Sequence, residues 1–185
     1  MSVNKTELLN CTTIFLDRDG VINKRIVGGY VADPKEFIFL DGVLEAFEYL
    51  SKTFEHIIII TNQQGISKGI VSEEQVNKVH EYMISTIEQN NGKIDKIYFC
   101  PDKDNGNSFY RKPNIGMAIK ANEDFPTINF KKSILVGDMK SDILVGKQLC
   151  MKTIKIGNQD NEILADLNFD SLISFVNYLK EIKTM

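Results

Sequence analysis

Short apolar runs alternate along the chain with longer stretches in which apolar residues recur at helical spacing. The short runs are rich in Ile, Val and Phe and are almost continuously apolar, which predicts strands that are buried on both faces of a parallel sheet. Five such strands are predicted, over residues 12–17, 56–61, 96–100, 133–138 and 152–156.

The longer stretches predict amphipathic helices. Ser72 and Gln75 stand at the spacing of a capping box, and Asp41 and Ser141 are predicted N-caps. The predicted helices cover residues 41–53, 72–91, 114–122, 141–150 and 170–183. This alternation of strands and helices predicts a doubly wound, Rossmann-like α/β fold, in which ligands bind at the carboxyl ends of the strands.

Two polar or glycine-containing segments, residues 23–40 and 101–113, are predicted to be loops near the ligand site. Neither segment is long enough for a separate cap domain, so we expect an open site without a large cap. The chain contains no repeat, low-complexity tract or linker. Its 185 residues are therefore expected to form a single domain, residues 1–185.

Composition and charge narrow the class of protein. Hydrophobic residues make up 43% of the chain and charged residues 25%, as in ordinary globular proteins. The formal net charge of -3 argues against nucleic acid or an anionic membrane as a partner. The N-terminal residues show no leader pattern and no apolar run has the length of a membrane helix, so we expect a cytoplasmic protein. We also expect a monomer, because the sequence shows no exposed apolar helix face.

The three cysteines, Cys11, Cys100 and Cys150, lie far apart and outside any CxxC or Cys/His cluster. An odd number at such spacing indicates reduced thiols in a core rather than a disulfide framework or a zinc site.

Two carboxylates follow the first predicted strand. Residues i and i+2 of an extended segment point to the same side, so Asp17 and Asp19 can converge at the strand tip, where Gly20 permits a sharp turn. Carboxylates at that distance repel each other unless a cation or a shared proton compensates. Taken alone, the pair is better explained as an Asp-Gly turn. A calcium loop is not supported, because the further acidic ligands of an EF-hand are missing.

A second acidic group follows the fourth predicted strand. Asp138 is expected at the tip of that strand, at the same edge as Asp17 and Asp19. Asp142 is expected near the start of the next helix, where the helix dipole alone could explain a carboxylate. A cluster of oxygen ligands suits Mg²⁺, which binds carboxylates, water and substrate phosphate.

Two further segments supply groups that could bind phosphate. Thr61, Asn62 and Gln63 end the second strand, where a hydroxyl and backbone N–H groups can hold a phosphate, although this is also common turn chemistry. Arg111 and Lys112 precede a predicted helix and could neutralise phosphate oxygens, although a solvated surface pair would have the same sequence.

In their order along the chain, these segments resemble the four motifs of the haloacid dehalogenase superfamily of phosphotransferases. The motifs are FLDRDGVIN (15–23), TNQQGI (61–66), RKPNIGM (111–117) and GDMKSD (137–142), and they span nearly the whole chain. Within the superfamily the chain resembles the small, cap-poor group that contains the histidinol-phosphate and heptose-bisphosphate phosphatases. Residues 15–23, 28–43 and 61–69 are most similar to the heptose enzymes.

The resemblance implies a Mg²⁺-dependent phosphatase that forms an aspartyl-phosphate. It implies that Asp17 is the nucleophile and that Asp19 protonates the leaving oxygen and then deprotonates water. It further implies that Asp17, the backbone carbonyl of Asp19 and Asp138 bind Mg²⁺, with Gly20 and Asp142 in supporting positions.

The resemblance also implies a substrate site. Thr61 and Lys112 would bind the transferring phosphoryl group, and Arg111 with residues 62–64 would face the rest of the substrate. The expected substrate is D-glycero-D-manno-heptose 1,7-bisphosphate, cleaved at the 7-phosphate. Many members of this group carry a Cys/His zinc loop, whereas residues 100–113 here keep only Cys100 and contain no His. A structural zinc ion is therefore not expected.

The alternatives to a heptose-bisphosphate phosphatase are another substrate, another class of enzyme and a protein without catalytic activity. Histidinol phosphate or another small phosphorylated metabolite is an alternative substrate. A cysteine phosphatase is excluded because no cysteine is followed six positions later by Arg, and there is no Walker loop or GxGxxG motif. A receiver domain needs an acceptor Asp where the second strand ends in Thr61. The non-enzyme alternative is a pseudoenzyme that binds sugar phosphates without turnover. The presence of Asp17, Asp19, Lys112 and Asp138 argues against it.

Overall fold

A computed structural model describes residues 5–106, 108–157 and 165–184. The predicted loop 101–113 includes residue 107, and the predicted domain 1–185 includes residues 1–4, 158–164 and 185; these positions lie outside the described residues.

Six parallel strands form one sheet in the order β3-β2-β1-β4-β5-β6. The strands are β1 (Thr13–Leu16), β2 (His56–Asn62), β3 (Lys96–Cys100), β4 (Ser133–Gly137), β5 (Lys152–Ile156) and β6 (Leu167–Phe169). This confirms the five predicted strands and the doubly wound α/β fold. The prediction missed β6, because its three residues are only partly buried or exposed and form no apolar run.

Six helices pack around the sheet in the described ranges, and none of them is long and apolar enough to span a membrane. They are α1 (Lys5–Leu9), α2 (Val43–Thr53), α3 (Glu73–Gln89), α4 (Gly116–Asp124), α5 (Lys140–Gln148) and α6 (Leu172–Thr184), with short 3₁₀ turns at Pro34–Glu36 and Phe130–Lys132. The five predicted helices are confirmed with boundaries shifted by one or two residues, and the short helix α1 was not predicted.

The apolar core lies on both faces of the sheet, because alternate residues of each central strand point in opposite directions. On β2, Ile57 and Ile59 pack with the cluster that includes α2, α3 and α6, whereas Ile58 and Ile60 pack with the cluster that includes α4 and α5. Burial on both faces is confirmed for β1, β2, β4 and β5. It is wrong for β3, which lies at the edge of the sheet and is only partly buried.

The predicted capping box of α3 is confirmed. The Gln75 backbone N–H donates to Ser72 Oγ at 3.1 Å, and the Ser72 N–H donates to Gln75 Oε1 at 2.8 Å. The predicted N-cap at Asp41 is wrong, because α2 starts from Gly42 in the left-handed conformation (φ +73°).

The predicted N-cap at Ser141 is also wrong, because α5 begins one residue earlier and Met139 is its N-cap. The Met139 N–H donates to Asp142 Oδ2 at 3.0 Å, so the carboxylate of Asp142 reaches back to the start of the helix.

The cysteines are free thiols. Cys11 and Cys100 are buried as predicted, whereas Cys150 is exposed after the end of α5.

The capping box of α3 gives a first prediction. Ser72→Ala should lower the free energy of unfolding by about 1 kcal/mol, because a backbone N–H at the start of the helix loses its acceptor. Urea denaturation measures this change. Ser85→Ala, at an exposed position of the same helix, is the matched control and should change the free energy by less than about 0.5 kcal/mol. Equal effects of the two substitutions would contradict the capping role.

Candidate active site

The carboxyl ends of β1 and β4 meet at the point where the order of the strands reverses. Leu16 pairs with Val136, and the Asp17 N–H donates to the Val136 carbonyl at 3.0 Å. Asp17 therefore lies at the tip of β1 with its backbone fixed by the sheet. Asp138 follows β4 directly, so the topology brings both carboxylates to the same edge, as the sequence predicted.

Two glycines allow the acidic side chains to approach the backbone closely. Gly20 has a φ of +94°, and a Cβ atom there would lie 2.2 Å from Asp138 Oδ2. A Cβ atom on Gly137 would lie 2.2 Å from Cβ of Asp142. Any larger residue at either position would displace a carboxylate of the site.

Asp17, Asp138 and Asp142 each place a carboxylate oxygen within 4.8 Å of the others. Burial raises the pKa of Asp17 to about 7, with Lys112 opposing the increase and the neighbouring carboxylates adding to it. Burial also raises the pKa of Asp138. This acidic cluster therefore holds more negative charge than its surroundings stabilise, and it favours the binding of a cation.

Lys112 is the buried cation of the cluster. Its Nζ lies 2.8 Å from Asp17 Oδ1 and 2.7 Å from Asp142 Oδ1, and it donates to the Ile60 carbonyl at 2.8 Å. Burial alone would lower the pKa of Lys112, but Asp142 and Asp17 raise it above its usual value, so the ammonium stays charged. Its backbone is fixed to the end of β2, because the Lys112 N–H donates to Asn62 Oδ1 at 3.0 Å and Asn62 Nδ2 donates to the Lys112 carbonyl at 3.1 Å.

Arg25 is a site residue that the sequence did not single out. Its Nη2 donates to Asp138 Oδ1 at 2.7 Å and to the Asp19 backbone carbonyl at 2.6 Å, and lies 3.6 Å from Asp17 Oδ2. Its Nε donates to Asp138 Oδ2 at 3.1 Å. One cationic group thus lies where the three predicted metal-binding oxygens converge. The Lys24-Arg25 pair within a predicted loop looks like solvated surface, so the sequence carried no signal for this contact.

The carboxylate of Asp19 is held by several donors. Arg18 Nη2 donates to its Oδ1 at 3.0 Å and lies 2.9 Å from its Oδ2, Asn23 Nδ2 donates to Oδ1 at 3.0 Å, and Gln63 Nε2 donates to Oδ2 at 3.0 Å. Burial alone would raise the pKa of Asp19, but Arg18 and these hydrogen bonds lower it below its usual value. Asp19 is therefore ionised in this state.

The segment after β2 is placed only partly as expected. Thr61 and Asn62 line the cavity above the acidic cluster. Gln63, which was expected to face the substrate, is instead buried, and its Nε2 also donates to Thr61 Oγ1 at 3.0 Å. Gln64 lines the cavity in its place. The strand ends at Asn62, and the following turn directs Gln63 into the interior.

Arg18 connects Asp19 to helix α3. Arg18 is 1% exposed, and its Nη1 lies 3.1 Å from Nε2 of His80. A guanidinium offers only donors, so His80 Nε2 is the acceptor. Burial, together with the nearby charge of Arg18, lowers the pKa of His80 to about 3, so the imidazole is neutral.

The acidic cluster lies at the base of an open cavity of about 800 Å³. Residues 24–31 line one side of it, and Val27 in this segment is 95% exposed. Arg111 lines another part, and its Nη1 donates to the Asp102 carbonyl at 3.2 Å. The cavity therefore combines an acidic base with cations at its rim, among them Lys24, Lys68 and Arg111.

A parallel sheet of this order, with carboxylates at the ends of β1 and β4 and a buried lysine between them, defines a phosphatase of the haloacid dehalogenase superfamily. The family model for polynucleotide kinase 3 phosphatase matches residues 13–175. The chain belongs to this family, and within it to the group of heptose-bisphosphate phosphatases.

Relatives of known name cover most of the chain. The D-glycero-beta-D-manno-heptose-1,7-bisphosphate 7-phosphatase of Vibrio cholerae is 35% identical over 183 residues, which are 92% of this chain and 97% of the relative. The D-glycero-alpha-D-manno-heptose-1,7-bisphosphate 7-phosphatase of Campylobacter jejuni is 36% identical over 170 residues, which are 91% of this chain and 95% of the relative. The fold is shared with the D,D-heptose 1,7-bisphosphate phosphatase of B. bronchiseptica, complexed with magnesium and phosphate, at a TM-score of 0.82, 24% identity and coverage of 92% and 98%.

The neutral state of His80 predicts a pH dependence of stability. Its pKa is about 3 in the folded protein and about 6.5 in the unfolded chain, so the unfolded chain binds the additional proton as the pH falls below about 6.5. The wild type should lose ~2 kcal/mol of unfolding free energy at pH 5 relative to pH 7 through this residue. Gln accepts from Arg18 but does not titrate, so His80→Gln should not show this loss.

Urea denaturation at pH 5, 6 and 7 measures the difference between the two proteins, in which the titration of the acidic cluster cancels. His56→Gln removes the chain's other histidine and is the matched control. Parallel pH profiles for wild type and His80→Gln would contradict the prediction.

Proposed function

We propose that this phosphatase removes the 7-phosphate from D-glycero-D-manno-heptose 1,7-bisphosphate, with Mg²⁺ as its cofactor. The observation that carries the proposal is the convergence of Asp17, Asp138 and Lys112 at one edge of the sheet, inside an open cavity with cations on its rim. The names of the relatives that are 35% and 36% identical support this substrate.

In the proposed reaction a carboxylate oxygen of Asp17 bonds to phosphorus while the bond between phosphorus and the sugar oxygen breaks. Asp19 donates a proton to that oxygen and releases the sugar alcohol. Asp19 then takes a proton from water, the water oxygen bonds to phosphorus, and the bond to Asp17 breaks to release inorganic phosphate. Because Asp19 is ionised in the free protein, it acts as an acid only after it has taken up a proton, which a protonated phosphate monoester can supply.

Lys112 and Thr61 act on the phosphoryl group itself in this proposal. The Lys112 ammonium lies against Asp17 and places positive charge beside the position where the phosphoryl group is transferred. Thr61 Oγ1 already accepts a hydrogen bond from Gln63, so its own hydroxyl proton is directed elsewhere and can be donated to a phosphoryl oxygen.

The oxygens around Arg25 fit a divalent cation. The Asp17 carboxylate, the Asp19 backbone carbonyl and the Asp138 carboxylate converge on the Arg25 guanidinium, and they are the hard oxygen ligands that Mg²⁺ prefers. When bound, Mg²⁺ supplies positive charge that stabilises the oxygens of the transferring phosphoryl group. Asp142 has a supporting position, since it is held by Lys112 and by the Met139 N–H.

The rim of the cavity suits a substrate with a second negative group. Lys24, Lys68 and Arg111 line the same cavity as the acidic cluster. Lys68 Nζ donates to Tyr30 Oη at 3.1 Å, which ties the loop after β2 to the loop after β1. A sugar that carries a phosphate at each end can place one phosphate at Asp17 and the other among these cations.

The alternative function is hydrolysis of histidinol phosphate or of another small phosphorylated metabolite. Such a substrate would use the same acidic cluster and Lys112, and it would differ in its contacts at the rim. A cytoplasmic location, a monomeric state and a single domain over residues 1–185 stay predictions.

Phosphate release in the presence of Mg²⁺ tests the proposed function. Both anomers of the heptose bisphosphate are compared with histidinol phosphate and a generic aryl phosphate, with Asp17→Asn as the inactive control. One bisphosphate anomer should exceed histidinol phosphate and the aryl phosphate by about 10²-fold in kcat/KM, because its second phosphate adds contacts with the cations of the cavity. Weak turnover of all substrates alike would refute the heptose assignment and leave the phosphatase chemistry intact. Full activity of Asp17→Asn would refute the assignment of Asp17 as the nucleophile.

The position of Arg25 predicts competition with the metal. Arg25→Gln should bind Mg²⁺ about three- to tenfold more tightly than the wild type, because a partly exposed ion pair of ~1 kcal/mol no longer has to be broken. Isothermal titration with Mg²⁺ measures this affinity. Lys24→Gln removes the same charge from the adjacent residue and is the matched control for net charge. Equal or weaker Mg²⁺ binding by Arg25→Gln, relative to the wild type, would show that Arg25 does not compete.

A further inference from the structure

A continuous set of buried contacts runs from helix α3 to the carboxylate of Asp19. His80 on α3 is 5% exposed, and its Nε2 accepts from Arg18 Nη1 at 3.1 Å. Arg18 is 1% exposed, and its Nη2 lies 3.0 Å from Asp19 Oδ1 and 2.9 Å from Oδ2. These three residues connect a helix in the middle of the chain to the acid–base residue that follows β1.

The position of the Arg18 guanidinium depends on the contacts of its two terminal nitrogens. Nη1 contacts His80 and Nη2 contacts Asp19, whereas Nε has no hydrogen-bond partner among the described residues. A buried guanidinium with one unpaired donor is already under-satisfied, and the loss of His80 would leave a second nitrogen unpaired. The guanidinium would then move to find another acceptor, and its contact with Asp19 would change.

His80 is itself held in place. Its ring packs edge-on against Phe99 of β3, with ring centroids 5.6 Å apart and an interplanar angle of 60°. The neighbouring α3 residues Val79 and Met83 are buried in the core. The acceptor that His80 offers to Arg18 therefore belongs to a rigid part of the fold rather than to a loop.

We propose that His80 is a positioning residue, which fixes the Arg18 guanidinium and through it the carboxylate of Asp19 for both of its proton transfers. This inference rests on the proposed function, in which Asp19 first protonates the leaving oxygen and then deprotonates water. His80 touches neither the substrate nor the reacting atoms. It acts only through Arg18.

The two proton transfers respond differently to the leaving group, and this provides the test. An alkyl oxygen, as in a sugar phosphate, departs only with a proton, whereas a nitrophenolate departs without one. Release of the leaving group from nitrophenyl phosphate therefore does not need Asp19, but hydrolysis of the aspartyl-phosphate still does. Since kcat/KM reports the steps up to departure of the leaving group, it separates the first proton transfer from the second.

The experiment compares wild type and His80→Leu, both with Mg²⁺, on nitrophenyl phosphate and on the phosphorylated sugar that the wild type hydrolyses best. His80→Leu should lose about 10²-fold in kcat/KM on the sugar phosphate, which is at the lower end of the contribution of general acid–base catalysis. On nitrophenyl phosphate its kcat/KM should fall by less than about tenfold. Its kcat on that substrate should fall further, and a burst of nitrophenol with a phosphoenzyme trapped in acid should appear.

Two further variants separate positioning from packing. His80→Gln keeps a neutral acceptor for Arg18 and should recover most of the activity on the sugar phosphate. His56→Leu removes the other histidine, which contacts Thr127 away from the site, and should behave as the wild type on both substrates. If His80→Leu does not fold, as judged by circular dichroism, Arg18→Lys takes its place in the same comparison of the two substrates, with the same expected losses. This variant keeps the charge and removes the planar group that joins His80 to Asp19.

Equal losses of kcat/KM on both substrates without a burst would overturn the proposal, because a merely structural defect impairs every step. The same holds if His80→Gln is as impaired as His80→Leu. A wild type that releases phosphate from no substrate would instead refute the proposed function, so the two failures are distinguishable.

Discussion

The rest of the site depends on the two ion pairs that the Lys112 ammonium makes with Asp17 and Asp142. All three groups are almost completely buried, and buried charges are tolerated only when they are paired and hydrogen-bonded. One lysine does not neutralise three carboxylates, so the site attracts a further cation beside Asp138. In the structure described here the Arg25 guanidinium meets that requirement. The buried carboxylates proposed to carry out the chemistry are thus the same groups that need a cation to stabilise their charge.

The sheet places Asp17 and Asp138 directly at its edge, whereas Lys112 reaches the site from the segment between β3 and α4. Because β1 lies between β2 and β4, the residues that follow these three strands meet at one edge. The backbone bond from Asp17 to Val136 extends the sheet by one residue into the site, and the two bonds between Asn62 and Lys112 fix a distant segment to the end of β2. The nucleophile is therefore positioned by a backbone contact of the sheet, and the buried cation by two bonds from the Asn62 side chain to its backbone.

Five of the six strands, five helices and the edge at which Asp138 joins the other carboxylates could be predicted from the sequence, since they follow from apolar periodicity and from the rule that ligands bind at strand ends. Contacts between segments far apart in sequence could not. Arg25 lies 113 residues from Asp138, and His80 lies 62 residues from Arg18. The burial of Gln63 was missed for a related reason, because its side chain bonds to Asp19, which lies 44 residues away in the sequence.

The loop at residues 24–31 and the rim cations have a consequence for how this protein could evolve. Val27 is almost fully exposed, and neither this residue nor the adjacent Gly28 contributes to the core. Substitutions at Val27 alter the shape and charge of the entrance with little change in folding free energy, because an exposed side chain outside the core contributes little to stability, while the catalytic residues stay at the strand ends. Substrate preference can therefore drift among related phosphorylated compounds through neutral changes at the entrance, and new specificities need no compensating mutations in the core.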